Sequence, residues 1–145
     1  KVDPPAGFAA EAEDYINEKG GSVEVRTDKI GVHQKSISHW DKKGHELSWK
    51  INLPQDGRYI MQVRYCSSGP AIRTISINGE KLGSFTFPGT GGNGGSGADW
   101  DIAPVGKAGG QMVLELKAGE QLITLSNDEG GMMNVDYLTL VPVKN

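Results

Sequence analysis

The sequence lacks several features that would point directly to a function. It contains one cysteine, Cys66, so no disulfide can form within the chain. Its net charge is −3 and it has no basic run, which argues against nucleic-acid binding. No apolar run approaches the roughly 18 residues that a membrane-spanning helix needs. We therefore expect neither a nucleic-acid nor a membrane partner, and we interpret Cys66, at the end of the apolar run YIMQVRYC, as an inert buried thiol.

Glycine, by contrast, is abundant. The 145 residues include 21 glycines, and 37% of all residues are hydrophobic. Because glycine weakens helix interiors and serves turns, this composition favours a loop-rich β protein. The length fits one domain with a substantial core. The first residue is Lys1 and not Met, so we expect residues 1–145 to be a single module from a larger multidomain protein, and the missing signal sequence has no bearing on secretion.

Short strands separated by turns account for most of the chain. The segment ELSWKINL alternates, with Leu47, Trp49, Ile51 and Leu53 on one face, and this pattern predicts a half-buried strand. The turn PQDG and a second apolar strand, RYIMQVRYC, come next. We expect these two strands to form a hairpin.

The later segments repeat the strand and turn pattern. Asn78-Gly79 joins two β-prone runs and is the preferred dipeptide of a type I′ hairpin turn. QMVLEL and QLITLS, joined by KAGE, predict another hairpin, and NVDYLTLVPV predicts a final strand. Near the start, SVEVRT is a weaker strand candidate, and FAAEAEDY fits either a strand or a short helical turn. About eight to ten strands without a convincing helix predict an all-β sandwich or barrel.

Three loops stand out as candidate sites. Residues 28–45 and 88–110 are long segments without a clear element, and each contains one tryptophan, Trp40 and Trp100 respectively. The second includes the tract GTGGNGGSGADW, and NDEGGMMN precedes the final strand. Loops of such length in a compact domain are usually functional or disordered, and functional residues concentrate on loops held by a rigid scaffold.

The order of these features resembles the carbohydrate-binding modules of family 6 and the related family 35. The similarity begins at AEAEDY and runs through HWDKKGHELSWKINLPQDGRYIMQVRYCSSG. It continues at ISINGEKLGSF, LKAGEQLITLSND and MNVDYLTL, so it covers most of the chain. The chain departs from the family at Gly44-His45-Glu46, where the family has Gly-Asp and an aromatic residue, and in its longer glycine-rich tract. The resemblance implies a jelly-roll-like β-sandwich of two antiparallel sheets.

The resemblance also implies a sugar-binding site. Trp40 and Trp100 occupy the positions of two facing aromatic residues that stack on one sugar ring, and Asn134 matches an amide that binds sugar hydroxyls between them. The polar and glycine-rich flanks of both tryptophans favour exposed platforms, whereas strand alternation places Trp49 in the core. Further polar side chains in the same loops are candidate hydrogen-bonding partners: His39, Glu46, Asp99 and Asp101.

The family further implies a structural calcium ion. Its ligands correspond to Glu11, Glu13 and Asp136, together with a loop carbonyl. We expect Glu11 and Glu13, two apart on a strand, to share one face, with Asp136 at the start of the last strand. Calcium takes six to eight oxygen ligands, and it would relieve repulsion among clustered carboxylates.

The family implies a non-catalytic module that targets a covalently linked glycoside hydrolase to a polysaccharide. We expect a secreted, monomeric module that binds a neutral β-glucan, including β-1,3-glucan, or xylan; agarose-type galactans and uronic acids are the alternative ligands. A catalytic role is disfavoured, because Glu11, Glu13 and Asp136 fit one metal cluster and the chain has no Gly-x-Ser-x-Gly motif. His33, His39 and His45 lack zinc-ligand spacing and are interpreted as surface or sugar-contacting residues. A protein-interaction or adhesion module remains the third possibility.

Overall fold

The computed structural model describes residues 2–144, which form twelve strands and three short 3₁₀ helices. The strands are β1 (Phe8–Glu11), β2 (Asn17–Lys19), β3 (Glu24–Arg26), β4 (Ser36–Ser38), β5 (His45–Leu53), β6 (Gly57–Cys66), β7 (Ala71–Ile77), β8 (Glu80–Phe87), β9 (Asp101–Pro104), β10 (Val113–Leu116), β11 (Gly119–Asn127) and β12 (Asn134–Pro142). The 3₁₀ helices are Ala12–Asp14, Gly97–Asp99 and Lys107–Gly109. The strands that the sequence did not indicate are the short segments β2, β4 and β9, whereas β3 lies within the predicted strand candidate SVEVRT.

Two antiparallel sheets form a sandwich. One sheet has seven strands, with β10-β6-β12-β4-β3 as its main order, β1 paired with β12 and β9 paired with β6. The other has five strands in the order β2-β5-β11-β7-β8. All strand pairs are antiparallel. The predicted all-β sandwich is therefore confirmed.

The core lies between the two sheets, as the alternation in the sequence predicts. On β5, Leu47, Trp49, Ile51 and Leu53 are all buried, while Lys50 between them is exposed. Trp49 is confirmed as a core residue, and its indole nitrogen donates to the carbonyl of Ala12 at 3.0 Å. Inward-facing residues of β6, β7, β11 and β12 complete the same apolar cluster. The sandwich is therefore held mainly by burial of one apolar face from each sheet.

Cys66 is fully buried at the end of β6, as expected for an inert thiol. Burial raises the pKa of its thiol to about 11. A thiol with such a pKa is almost entirely protonated at neutral pH, and thiolate is the reactive form.

One of the three predicted hairpins is confirmed and two are wrong. β7 and β8 pair across Asn78-Gly79, and both turn residues have positive φ, 53° and 83°. β5 and β6, however, lie in different sheets, as do β10 and β11. A tight turn between two half-buried strands can either fold them side by side or carry the chain across the core. Local turn chemistry does not distinguish these outcomes, because the choice depends on pairing with distant strands such as β11 and β12.

The N-terminal segment combines both of its predicted structures. Phe8–Glu11 is a strand, and Ala12–Asp14 is a 3₁₀ helix. Glu11 and Glu13 are therefore not on one strand, and the prediction that strand alternation places them on one face is wrong. Within residues 2–144, no helix is long and apolar enough to cross a membrane.

Candidate functional site

One end of the sandwich carries an open depression where several loops meet. Its volume is about 300 Å³. The loops after β3 and β4, the glycine-rich segment after β8 and the loop before β12 all contribute to it. The lining residues are mostly polar: Arg26, Lys29, Ser38, His39, Asp41, Asn93, Met132 and Asn134. Two of the residues singled out in the sequence, His39 and Asn134, thus lie in one concave surface.

Asn134 is held at the base of this depression by its position as the first residue of β12. Its side chain is only 1% exposed, and its amide nitrogen donates to the carbonyl of Asn93 at 2.9 Å. Its amide oxygen is buried and has no hydrogen-bond partner. A buried acceptor without a partner is costly. Because this oxygen has almost no exposed surface, neighbouring groups must shift before a ligand hydroxyl can donate to it.

His39 occupies the rim in a strained backbone conformation. It is exposed, and its φ of 66° lies in the left-handed region that non-glycine residues rarely adopt. Its ring Nδ1 lies 2.8 Å from Ser38 Oγ, and its Nε2 lies 3.5 Å from a carboxylate oxygen of Glu24. Strain of this kind is often kept at binding sites, where the surrounding structure fixes a side chain for a ligand.

The charges in and around the depression nearly balance. Arg26 donates to both carboxylate oxygens of Asp28, at 2.8 and 2.7 Å, and to Ser38 Oγ at 3.0 Å. This pairing raises the pKa of the Arg26 guanidinium and lowers the pKa of the Asp28 carboxyl. Lys29 and Asp41 add one charge of each sign to the lining. The surface therefore favours a polar, uncharged ligand over a strongly charged one.

Trp40 is not an exposed platform, and the prediction of a stacking role is wrong for it. Its side chain is 0% exposed and packs edge-on against Trp49, with ring centroids 6.2 Å apart. Its indole nitrogen donates to the carbonyl of His45 at 3.0 Å. The guanidinium of Arg73 lies 4.2 Å from the ring centroid. The ring faces inward although polar residues flank it, because β4 ends at Ser38 and the following residues turn back over the core.

Trp100 is also buried, with 6% of its side chain exposed. Its indole nitrogen donates to the carbonyl of Ile30 at 2.8 Å, and the guanidinium of Arg64 lies 5.7 Å from its ring centroid. The backbone of Gly94, at φ 94°, passes directly over the ring, where an added Cβ would lie 2.9 Å from Trp100 Cζ2. The glycine-rich tract thus allows the chain to cover this tryptophan. The two indoles do not form an open slot for a sugar ring.

The acidic residues proposed beside the tryptophans have local partners. The Asp99 carboxylate accepts hydrogen bonds from the backbone amides of Gly94 and Ser96, at 3.0 and 3.2 Å, and so fixes the glycine-rich loop. Glu46 forms an ion pair with Lys19 at 3.4 Å. Asp101 is exposed at the start of β9. None of these three acidic residues lines the depression.

His45 is a core residue and not a surface or sugar-contacting one. It is 1% exposed, and its Nε2 lies 2.7 Å from Glu18 Oε2. The same Glu18 oxygen accepts the backbone amide of Val23 at 2.8 Å. The three evenly spaced histidines therefore do not share a function: His39 lies at the depression, His45 in the core and His33 beside Glu11.

A second polar cluster joins the N-terminal segment to β12. Glu11 Oε2 lies 2.8 Å from His33 Nδ1, and Glu13 Oε2 accepts the backbone amide of Lys35 at 3.2 Å. The other oxygen of each carboxylate is buried without a partner. Burial raises the pKa of Glu11, and it raises the pKa of Glu13 to about 6.

Asp136, the third residue of this cluster, is already engaged. Its Oδ2 accepts Arg64 Nη1 at 2.7 Å, and both oxygens accept the backbone amide of His33 at 3.1 Å. Within residues 2–144, no group of three or more His, Cys, Asp and Glu side chains is arranged to hold a metal ion. The unpartnered oxygens of Glu11 and Glu13 fit a hard cation, whereas the charge of Asp136 is already compensated by Arg64.

Sequence reasoning missed most of the lining of the depression. Ser38 ends the short strand β4, and Asn93 and Met132 lie in loops; nothing in their spacing distinguishes these residues from others in the same segments. Arg26 and Lys29 lie near the start of the long segment 28–45. The sequence did single out the three loops that contribute to the depression, and the family resemblance implied that they meet at one site.

Comparisons with known proteins place this fold in a defined group. No family model matches the chain. A 1,6-alpha-glucosyltransferase of Sporosarcina globispora is 36% identical over 103 residues, which is 67% of this chain and 7% of that protein. The chain thus spans less than a tenth of the length of this relative.

Solved structures give fuller coverage. A cycloisomaltooligosaccharide glucanotransferase of Paenibacillus sp., complexed with cycloisomaltoheptaose, matches with a TM-score of 0.74 and 20% identity over 92% of this chain and 18% of that one. A family 35 carbohydrate-binding module of Clostridium thermocellum matches with a TM-score of 0.72 and 23% identity, covering 93% of this chain and 97% of the module. The family 6 module of Cellvibrio mixtus lichenase 5A, in complex with cellotriose, matches with a TM-score of 0.67 and 24% identity, covering 94% and 97%. The chain therefore has the β-sandwich fold of the carbohydrate-binding modules of families 6 and 35.

Proposed function

We propose that this domain is a non-catalytic carbohydrate-binding module whose glycan lies in the depression beside Asn134. The observation that carries the proposal is the unpartnered, buried amide oxygen of Asn134 in a concave polar surface, on a fold shared with sugar-binding modules. Sugar hydroxyls both donate and accept hydrogen bonds. The amides, the Ser38 hydroxyl and the His39 ring supply partners of both kinds around the cavity.

The mode of binding differs from the tryptophan clamp expected from the sequence. Among the described residues, the lining contains no Trp, Tyr or Phe, and Met132, 37% exposed, is its main apolar contact. Aromatic stacking contributes strongly to sugar affinity where it exists. A site that depends on hydrogen bonds alone exchanges water contacts for similar ones, so we expect weak binding, with dissociation constants in roughly the millimolar range.

We propose a neutral glucan as the ligand, and an α-1,6-linked glucan is the first candidate. The relative of Sporosarcina globispora is a 1,6-alpha-glucosyltransferase, and the Paenibacillus enzyme with the same fold is complexed with cycloisomaltoheptaose. The near balance of charge in the depression supports a neutral sugar over a uronic acid. β-Glucan and xylan, favoured in the sequence interpretation, are the second candidates, and cellotriose in the family 6 structure supports their inclusion.

We further propose that the domain is a monomer within a larger, secreted carbohydrate-active enzyme and brings a catalytic domain to its polysaccharide. The small share of the matched relative that the chain covers supports a modular parent. The adhesion alternative predicts a protein partner in place of the glycan.

Affinity electrophoresis in gels containing dextran, laminarin, barley β-glucan or xylan tests the proposed site. We expect one of these glycans to retard the domain, with dextran the first candidate. Because Asn134 and His39 supply polar partners at the depression, Asn134→Ala and His39→Ala should weaken binding by about tenfold, the effect of losing about one good hydrogen bond.

Asn52→Ala provides the control. Asn52 is exposed near the C-terminal end of β5, where it lies opposite Glu120 of β11, and it does not belong to the loops of the depression. This variant should bind as the wild type does. Free migration of the wild-type domain in all four gels, with and without calcium, would contradict the proposal and favour the adhesion alternative.

We also propose that Glu11 and Glu13 bind a structural calcium ion. Each retains one buried carboxylate oxygen without a partner, and buried carboxylates whose pKa is raised by desolvation are stabilised by a cation. When bound, calcium would supply positive charge that ties the first 3₁₀ helix to the segment before β4. His33 and Lys35, which already contact the two glutamates, belong to that segment.

A further inference from the structure

Arg73 is a buried cation with no acidic partner. It lies on β7, and its side chain is 0% exposed. Within residues 2–144, no carboxylate lies within ion-pair distance of its guanidinium, and burial lowers its pKa to about 10. Removing a charge from water without a counterion is unfavourable, and an apolar side chain of similar volume is often equally or more stabilising at such a position. Stability of the core alone therefore does not explain this residue.

The hydrogen bonds of Arg73 connect two loops. Its Nη2 donates to the carbonyl of Trp40 at 2.8 Å and to the carbonyl of Gly131 at 3.1 Å. Trp40 follows His39 in the loop after β4, and Gly131 precedes Met132 in the loop before β12. One nitrogen thus joins two of the chain segments that line the depression.

Asn127 makes a second connection to the same two carbonyls. It is the last residue of β11, which pairs with β7. Its side-chain nitrogen lies 3.4 Å from the carbonyl oxygen of Trp40 and 3.3 Å from that of Gly131. Donors from two neighbouring strands of the five-stranded sheet therefore converge on one pair of loop carbonyls.

The planar guanidinium also stacks on the ring of Trp40, at 4.2 Å from the centroid. Stacking and two divergent hydrogen bonds need the flat, multiply donating group of arginine, whereas a lysine ammonium provides a compact charge without this geometry. This contact acts on Trp40 together with the indole hydrogen bond to the carbonyl of His45 and the edge contact with Trp49.

We infer that Arg73, assisted by Asn127, is a positioning residue of the glycan site. It sets the separation between the segment of His39 and Asp41 and the segment of Met132 and Asn134. The inference rests on the proposed function, because the separation of the two segments affects binding only if both contact the same glycan. Arg73 does not touch the ligand itself, since it is buried beneath both loops.

The test compares Arg73→Met and Arg73→Lys with Ile77→Ala, a matched control at the far end of the same buried face of β7. Binding to dextran and laminarin is measured well below each variant's unfolding temperature, and loop geometry is followed without ligand by NMR. We expect Arg73→Met to weaken binding by at least tenfold and Arg73→Lys by an intermediate amount. Both should shift the backbone amide signals of His39 and Met132 and the side-chain amide signal of Asn134. Ile77→Ala should lower the unfolding temperature and leave binding and these signals unchanged.

The outcomes separate the inference from the proposed function. If the wild type binds glycan and Arg73→Lys retains its affinity and loop signals, the positioning role is overturned. If binding falls in Ile77→Ala as much as in the Arg73 variants, the effect is one of general stability and the inference is also wrong. If the wild type binds no glycan, the proposed function fails. The NMR signals of His39, Met132 and Asn134 then still decide whether Arg73 sets the separation of the two segments. Should Arg73→Met not fold, Arg73→Lys alone decides, because it keeps the charge and most of the volume.

Discussion

At the scale of single residues, the three tryptophans show why flanking composition is a poor guide to burial. All three are buried, although Trp40 follows polar residues and Trp100 follows a glycine-rich tract. In each case the indole nitrogen finds a backbone carbonyl, as buried tryptophan generally requires. A tryptophan in a polar loop is thus compatible with a core position when the loop folds back over it.

Gly94 provides a direct test of how Trp100 is covered. Replacing Gly94 with alanine places a Cβ against the indole at an unfavourable φ, so the loop must move and expose the ring. We expect acrylamide to quench wild-type tryptophan fluorescence weakly and to quench the Gly94→Ala variant more strongly. Gly95→Ala is the matched control, because an added Cβ there has open space. Equal quenching in the two variants would show that Gly94 does not shield Trp100.

At the scale of elements, the hairpin of β7 and β8 is the part of the fold that local sequence determines best. Asn78 and Gly79 both adopt positive φ, and the two strands pair along nearly their whole length. Gly79 has open space for a side chain, so its conformation alone restricts substitution.

We therefore expect Gly79→Ala to lower the free energy of unfolding by about 1–2 kcal/mol, the cost of a left-handed L-residue. Urea denaturation measures this change. Gly57→Ala is the comparison, since Gly57 does not have positive φ and its Cβ would make ordinary contacts. That variant should keep or slightly raise stability, because alanine restricts the unfolded chain more than glycine does. A similar loss in both variants would contradict the turn-specific explanation.

The sequence predicted strands better than it predicted their partners. Alternation placed Leu47, Trp49 and Ile51 correctly in the core, because side-chain direction is a local property of a strand. It could not show that β5 pairs with β11 and not with β6, since that pairing joins residues far apart in the chain, such as Ser48 and Thr124, which are 76 positions apart. The site followed the same rule. The sequence singled out the loops, but it could not show that Trp40 is buried, since Trp40 packs against residues of other strands such as Trp49 and Arg73.

At the scale of the whole molecule, the cluster of Glu11 and Glu13 links the N-terminal segment to the segment before β4. If it binds calcium, the ion stabilises only the folded state. A calcium concentration 100-fold above the dissociation constant would then add about 2.7 kcal/mol, or about 5–10 °C in melting temperature for a domain of this size.

Differential scanning calorimetry with calcium and with EDTA measures this shift. Glu11→Gln and Glu13→Gln should abolish it, because neutral amides are weaker calcium ligands than carboxylates. Glu115→Gln, an exposed residue on β10, should leave it intact. An unchanged melting temperature on calcium addition to the wild type would rule out a stabilising ion at this cluster.

The pairing of β1 with β12 sets the order in which this domain can be completed during synthesis. Phe8 lies opposite Leu140, and β12 is also the partner of β6 and β4. Until the ribosome has released β12, the seven-stranded sheet lacks its central strand, and β1 and β6 lack the strand that pairs with both of them. The seven-stranded sheet, and with it one side of the core, can therefore be completed only after β12 has left the ribosome.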